Sequence, residues 1–158
     1  MSEYNIFTDG FFDMNTNVGA SAVVVLKKDA DKPIFERARA RKVTPEEGKK
    51  QYAPEQELGA CIRAVMVVPE GSTVTINSDS QYAVNVLNKN WNAKTNLGLI
   101  DRFFSEVRER HIKYRMNWVR GHNGNVWNER ADELCELAAQ SLLAGGKGII
   151  QNGLHPFD

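Results

Sequence analysis

Four carboxylates, Asp9, Glu57, Asp79 and Asp132, stand where the local pattern brings an acidic group to one end of a strand or helix. Asp9 closes the apolar run Tyr4-Asn5-Ile6-Phe7-Thr8, and Asp79 closes Thr73-Val74-Thr75-Ile76-Asn77-Ser78. Glu57 opens an amphipathic helix. Asp132 falls in the first turn of another, behind a candidate cap at Asn128. Gathered in one place, ionised carboxylates repel by roughly 4 kcal/mol per pair at ~4 Å and an effective dielectric of ~20. They stay ionised together only around cations, and hard oxygen donors select Mg²⁺ or a close relative. The implied chemistry is metal-dependent hydrolysis. Singly, each acid has an ordinary explanation: a turn Asp before Gly10, an N-cap at Asp79, a dipole-complementing Glu57. Their joint placement carries the argument.

The segment Trp118-Val119-Arg120-Gly121-His122-Asn123-Gly124-Asn125 supplies a proton carrier. His122 stands in a glycine-flanked loop leaving a strand, a poor setting for a packed core histidine. Imidazole titrates near neutral pH, as a group that moves protons must. His111 and His155 have no such setting.

The elements that position these groups follow from periodicity. Alternation over Tyr4–Asp9, Ala20–Lys28 and Ile34–Val43 predicts three strands in an antiparallel meander. Helical spacing of Leu58, Cys61, Ile62, Val65 and Met66 predicts a helix from Glu55 to Val68, with Pro54 in its first turn. A strand at Thr73–Ser78, helices at Gln81–Leu87 and Leu97–Arg110, and a fifth strand at His111–Val119 follow. The last helix runs from the cap at Asn128 to Ala144, ended by Gly145 and Gly146. The order β-β-β-α-β-α-α-β-α gives an α/β fold: a mixed five-stranded sheet, three antiparallel then parallel strands, flanked by helices. Residues 1–144 form the expected domain and 145–158 a C-terminal tail.

Composition agrees with one globular domain: 158 residues, 42% hydrophobic and 25% charged. No run approaches a membrane span, no signal peptide opens the chain, and Cys61 and Cys135 fall on apolar helix faces as core thiols. A cytoplasmic monomer without a membrane partner is expected. Net charge is zero, which counts mildly against a nucleic-acid partner. The charge is uneven, however. Arg37, Arg39 and Arg41 alternate with Ala38 and Ala40, and the simplest reading of that strip is a solvated strand face.

Five blocks carry a resemblance: Thr8-Asp9-Gly10, Gln56-Glu57-Leu58, Asp79-Ser80-Gln81-Tyr82, Trp118-Val119-Arg120-Gly121-His122, and Asn128-Glu129-Arg130-Ala131-Asp132-Glu133-Leu134. In order and spacing they resemble the successive motifs of ribonuclease H type 1, over residues 4–143. The resemblance implies a ribonuclease H-like fold and an endonuclease that hydrolyses the RNA strand of RNA–DNA hybrids. It makes Asp9, Glu57, Asp79 and Asp132 the ligands of two Mg²⁺ ions, with Mn²⁺ as a substitute, and His122 the histidine that assists proton transfer and product release. Asp9 would bridge the ions, Glu57 and Asp79 serving one and Asp132 the other. Gly10, Asn15, Ser80, Gln81 and Asn128 are then expected at the substrate, Gln81 in the minor groove. The chain departs from the pattern in three places. Phe11-Phe12-Asp13-Met14-Asn15 replaces a Gly/Pro-rich loop, and Ala53-Pro54-Glu55 replaces an Asn pair that reads 2′-hydroxyls. A short Asn88–Asn96 connection replaces a basic protrusion, which leaves room for a recruiting partner. Two rivals remain at this level: a same-fold nuclease acting on branched or duplex DNA, and a nucleic-acid-binding module without turnover.

Overall fold

A computed structural model of the chain describes residues 2–46, 49, 52–121 and 124–153. Ten elements follow in the order β1 (Glu3–Asp13), β2 (Val18–Lys27), β3 (Phe35–Lys42), α1 (Ala53–Met66), β4 (Thr73–Ser78), α2 (Gln81–Leu87), α3 (Leu97–Glu109), β5 (Lys113–Trp118), α4 (Val126–Leu143) and β6 (Ile149–Asn152). They build one six-stranded mixed sheet in the order β5-β4-β1-β2-β3-β6. β1 pairs antiparallel with β2 and parallel with β4; β5 is parallel to β4. Among the described residues no helix is long and apolar enough to cross a membrane.

Alternation along the strands sorts side chains into two cores. Tyr4, Ile6, Val23, Val25, Val74 and Ile76 pack beneath α1, α2 and α3. Phe7, Val18, Ala20, Ala22, Val24 and Leu26 pack beneath α4, against Ala131, Leu134, Cys135 and Ala138. β2 is therefore buried on both faces, which its continuous β-branched run requires. Small residues on the α4 side, Ala20, Ala22, Ala38 and Ala40, admit the helix close to the sheet. Both cysteines are free and buried, one in each core.

The structure corrects the sequence-based expectation in three places. The sheet has six strands, not five, because Ile149–Asn152 pairs antiparallel with Glu36–Arg39 and buries part of Ile150 against the α4 core. Four residues are too few to show a period, and the open edge of β3 is what recruits them. β1 does not end at Asp9 but continues to Asp13 in a hairpin with β2. The turn comes at Met14–Asn17, where Asp13 accepts hydrogen bonds from the Asn15 N–H (2.9 Å) and the Thr16 hydroxyl (3.0 Å). Finally, α4 begins three residues early. Asn125 is the cap, accepting from the Asn128 N–H at 3.0 Å, so Asp132 lies in the second turn.

Candidate active site

β1 and β4 run side by side only from Glu3↔Thr73 to Phe7↔Asn77. Beyond that point β1 stays with β2, while β4 ends at Ser78 and the chain enters α2. Asp9 and Asp79 lie just past the parting, one on each strand's continuation. The gap between the strands is where the two faces of the sheet communicate. α1 brings Glu57 over one face and α4 brings Asp132 over the other.

The electrostatics record how close these groups come. Asp9 is pushed up to about 9, first by burial and then by the charges of Asp79 and Asp132, and its carboxyl shares a hydrogen bond with that of Asp132. Such a bond needs a proton on one partner. Glu57 is also raised, by burial and by Asp79, and a hydrogen bond from Ser80 opposes the shift. Asp9 thus feels the charges of both Asp79 and Asp132, and Glu57 that of Asp79. Nearby, the Cys135 thiol donates to the Asp9 carbonyl at 3.6 Å, and burial holds it protonated, well above its ordinary value.

Capping chemistry keeps one of these carboxylates, Glu57, in place. Ser80, not Asp79, is the N-cap of α2, accepting from the Ala83 N–H at 3.1 Å. The same hydroxyl donates to Glu57. Ser80 is therefore buried behind the carboxylates, with its hydroxyl engaged on both sides. Gly10 is buried too. A Cβ there would come within 2.4 Å of the Gln56 carbonyl carbon and the Glu57 backbone nitrogen, so only glycine lets α1 settle against β1 at the turn that carries Glu57. Asn128 is buried, and among the described residues its Oδ1 finds no hydrogen-bond partner. Gln81 is exposed in the first turn of α2, and Asn15 is exposed at the hairpin tip. His122 lies outside the described residues.

The sequence offered no cue to a contact made by Gly121. A Cβ there would stand 2.8 Å from Asp79 Oδ2 and 3.4 Å from its Cγ. Gly121→Ala should consequently turn the Asp79 carboxylate aside without harming the fold. We expect a fall in rate of roughly 10²-fold, the cost of misplacing one group by ~1 Å, with an unchanged melting temperature. A variant as active as the parent would show that Asp79 has no fixed duty.

The donor set fits a hard divalent cation: several carboxylate oxygens whose mutual repulsion and burial a cation would relieve. Among the described residues, however, no three His, Cys, Asp or Glu side chains already stand in an arrangement that would hold one ion. The side chains would have to close around it.

Sequence comparison places the chain among known proteins. A model of the family described as RNase H matches residues 1–140. The chain belongs to the RNase H family. Ribonuclease HI of Helicobacter pylori is 33% identical over 150 residues, covering 89% of this chain and 95% of that protein. Ribonuclease HI of Pasteurella multocida is 30% identical over 156 residues, covering 88% and 91%. Ribonuclease H of Anaeromyxobacter dehalogenans is 30% identical over 157 residues, covering 91% and 84%. The chain is thus an enzyme of the RNase H type, a hydrolase and an endonuclease, and the mixed sheet with its flanking helices is the RNase H fold.

Proposed function

We propose that the protein hydrolyses the RNA strand of RNA–DNA hybrids with two divalent cations, Mg²⁺ in the first place, held by Asp9, Glu57, Asp79 and Asp132. The observation that carries this reading is the mutual charging of the acids where β4 leaves β1. Asp9, whose carboxyl feels the charges of both Asp79 and Asp132, would share the ions with them. Glu57, Asp79 and Asp132 would complete the ligand set around the ions. When bound, the ions supply water activation and neutralisation of the charge that develops on the leaving 3′-oxygen. Ser80 and Gly10 act behind them, fixing the Glu57 rotamer and the approach of its helix. His122 carries the proton to the leaving group, and Gln81 and Asn15, both exposed, contact the duplex.

A cleavage assay tests this directly. Labelled RNA–DNA hybrid, double-stranded RNA and double-stranded DNA are compared with Mg²⁺, Mn²⁺ and chelator. Cutting confined to the RNA strand of the hybrid, and lost with chelator, is the expected result. Equal cutting of duplex DNA would replace this substrate with the DNA-nuclease reading, and activity in chelator would remove the metal.

A further inference from the structure

The row that β3 turns toward α4 reads Glu36-Ala38-Ala40, a carboxylate followed by two buried alanines. The Glu36 carboxylate accepts a two-bond fork from Arg130 of α4: Nε donates to Oε2 at 2.7 Å and Nη2 to Oε1 at 3.1 Å. Asn152, directly opposite Glu36 on β6, donates to the same Oε1 at 3.2 Å. The Glu36 side chain is only 12% exposed and that of Arg130 28%, so water screens this fork far less than an ordinary surface ion pair. Arg130 also pairs along its own helix with Glu133, which leaves the guanidinium plane little freedom.

Arg130 stands two residues before Asp132, about 200° away around a helix of ~3.6 residues per turn. The stripe between them, Ala131, Leu134, Cys135 and Ala138, packs on the sheet. The two side chains therefore leave opposite flanks of α4. Asp132 reaches toward Asp9 on β1, and Arg130 reaches β3, beyond β2. Much of the packed surface between these flanks is alanine: Ala20, Ala22, Ala38 and Ala40 on the sheet, Ala131, Ala138 and Ala139 on the helix. Small side chains admit the helix closely but raise only low ridges, so packing by itself resists rotation of the helix about its axis weakly. At ~5–6 Å from that axis, a roll of about 10° carries a carboxylate ~1 Å. A displacement of that size costs on the order of 10²-fold in rate.

Resting on the reading of Asp132 as a metal ligand, we propose that Glu36 and Arg130 are positioning residues, whose fork sets the roll of α4 and thereby the place of the Asp132 carboxylate. β6 takes part through Asn152, which holds the Glu36 carboxylate from the neighbouring strand. The last strand lies beyond residues 1–140, which match the family model, yet it is tied to the carboxylate site across the width of α4.

Glu36→Gln and Arg130→Lys test this in the full chain. Each nearly keeps the size of the side chain and removes the fork, and Arg130→Lys leaves the charge beside Asp132 unchanged. Residual dipolar couplings along α4 read its rotation with neither metal nor substrate present, and both variants should shift their phase relative to the sheet. Mn²⁺ affinity, measured by calorimetry, should weaken roughly tenfold, and kcat on RNA–DNA hybrid should fall roughly tenfold or more. KM for the hybrid should change little. Asn152→Ala should give a smaller change in the same direction. Ile112→Val, buried in the other core, is the control for lost stability. It should lower the melting temperature while leaving the α4 couplings, Mn²⁺ affinity and kcat at parental values. Unchanged couplings in both variants would overturn the proposal, as would losses of Mn²⁺ affinity no larger than the control's. Shifted couplings in a protein that neither binds Mn²⁺ nor cuts hybrid would instead sink the metal-ligand reading and leave the clamp standing.

Discussion

Asp9→Asn should abolish cleavage, by about 10³-fold or more, and at the same time raise the melting temperature of the ion-free protein. The loss follows from removing the central charge of the set, since each 1.36 kcal/mol of lost transition-state stabilisation is tenfold in rate and a bound metal supplies several. The gain follows from the raised carboxyl. Asp9 has an ordinary value of 3.8 in the unfolded chain and about 9 in the folded one. Its protonated form is thus the one that folding favours. The associated stability is complete below about pH 4 and is lost as pH rises toward about 9. At neutral pH most of the penalty is already present, and the uncharged amide escapes it. A stabilisation of about 2 kcal/mol, or roughly 4–8 °C for a domain of this size, is expected. Thermal melts in chelator between pH 4 and 9 check the sign: the parent should weaken with pH, and the variant should do so much less. A variant that is less stable than the parent at pH 8, or that cuts normally with Mg²⁺, is incompatible with this site.

The second large effect belongs to a residue with no side chain. Gly10→Ala should cost about 2–4 kcal/mol and lower the rate roughly 10²-fold together. Its new methyl would meet the α1 backbone at 2.4 Å, and backbone cannot swing aside as the tip of a flexible chain can. Relief requires moving α1 off β1, and Glu57 moves with it. Gly59→Ala in the same helix is the control. No heavy atom lies within 4 Å of a Cβ there, so the change should stabilise by about 0.5–1 kcal/mol. Denaturant midpoints for the two variants test the contrast. Equal midpoints would mean that the β1–α1 approach is not tight.

How much of this is legible in the sequence varies with the kind of signal. β4 and α2 fall at Thr73–Ser78 and Gln81–Leu87 as periodicity predicts, because each is a clean run bounded by polar punctuation. Asp9-Gly10 misleads because Asp-Gly is a turn signal. Here the glycine answers a helix packed across it, and that need is invisible in one strand. Two asparagines three residues apart compete to cap α4. Asn125 prevails because Val126 and Trp127 continue the helix, and Asn128 becomes a buried residue within it. That four acids belong to these elements can be read from the chain, although Asp9 lies within β1 and Asp132 in the second turn of α4; which of them come close cannot, since that depends on where β4 parts from β1. The arginine strip shows the same limit. One strand displays the alternation, but the groove that Arg37, Arg39 and Arg41 line exists only once α1 and α3 are in place.

The added strand β6 has a consequence for how copies of this protein behave in a crowded solution. A sheet exposes hydrogen-bonding groups along its two outermost strands, and a long, flat margin invites another chain to join it. One margin here is β5, which holds exposed Lys113 and Arg115 toward any newcomer. The other would have been β3, eight residues long and alanine-rich on one face. Ile149–Asn152 covers half of it. Among the described residues, that margin is split between the four-residue β6 and the short end of β3 beyond the ladder. Self-assembly by strand addition therefore finds a charged border on one side and one too short to template growth on the other.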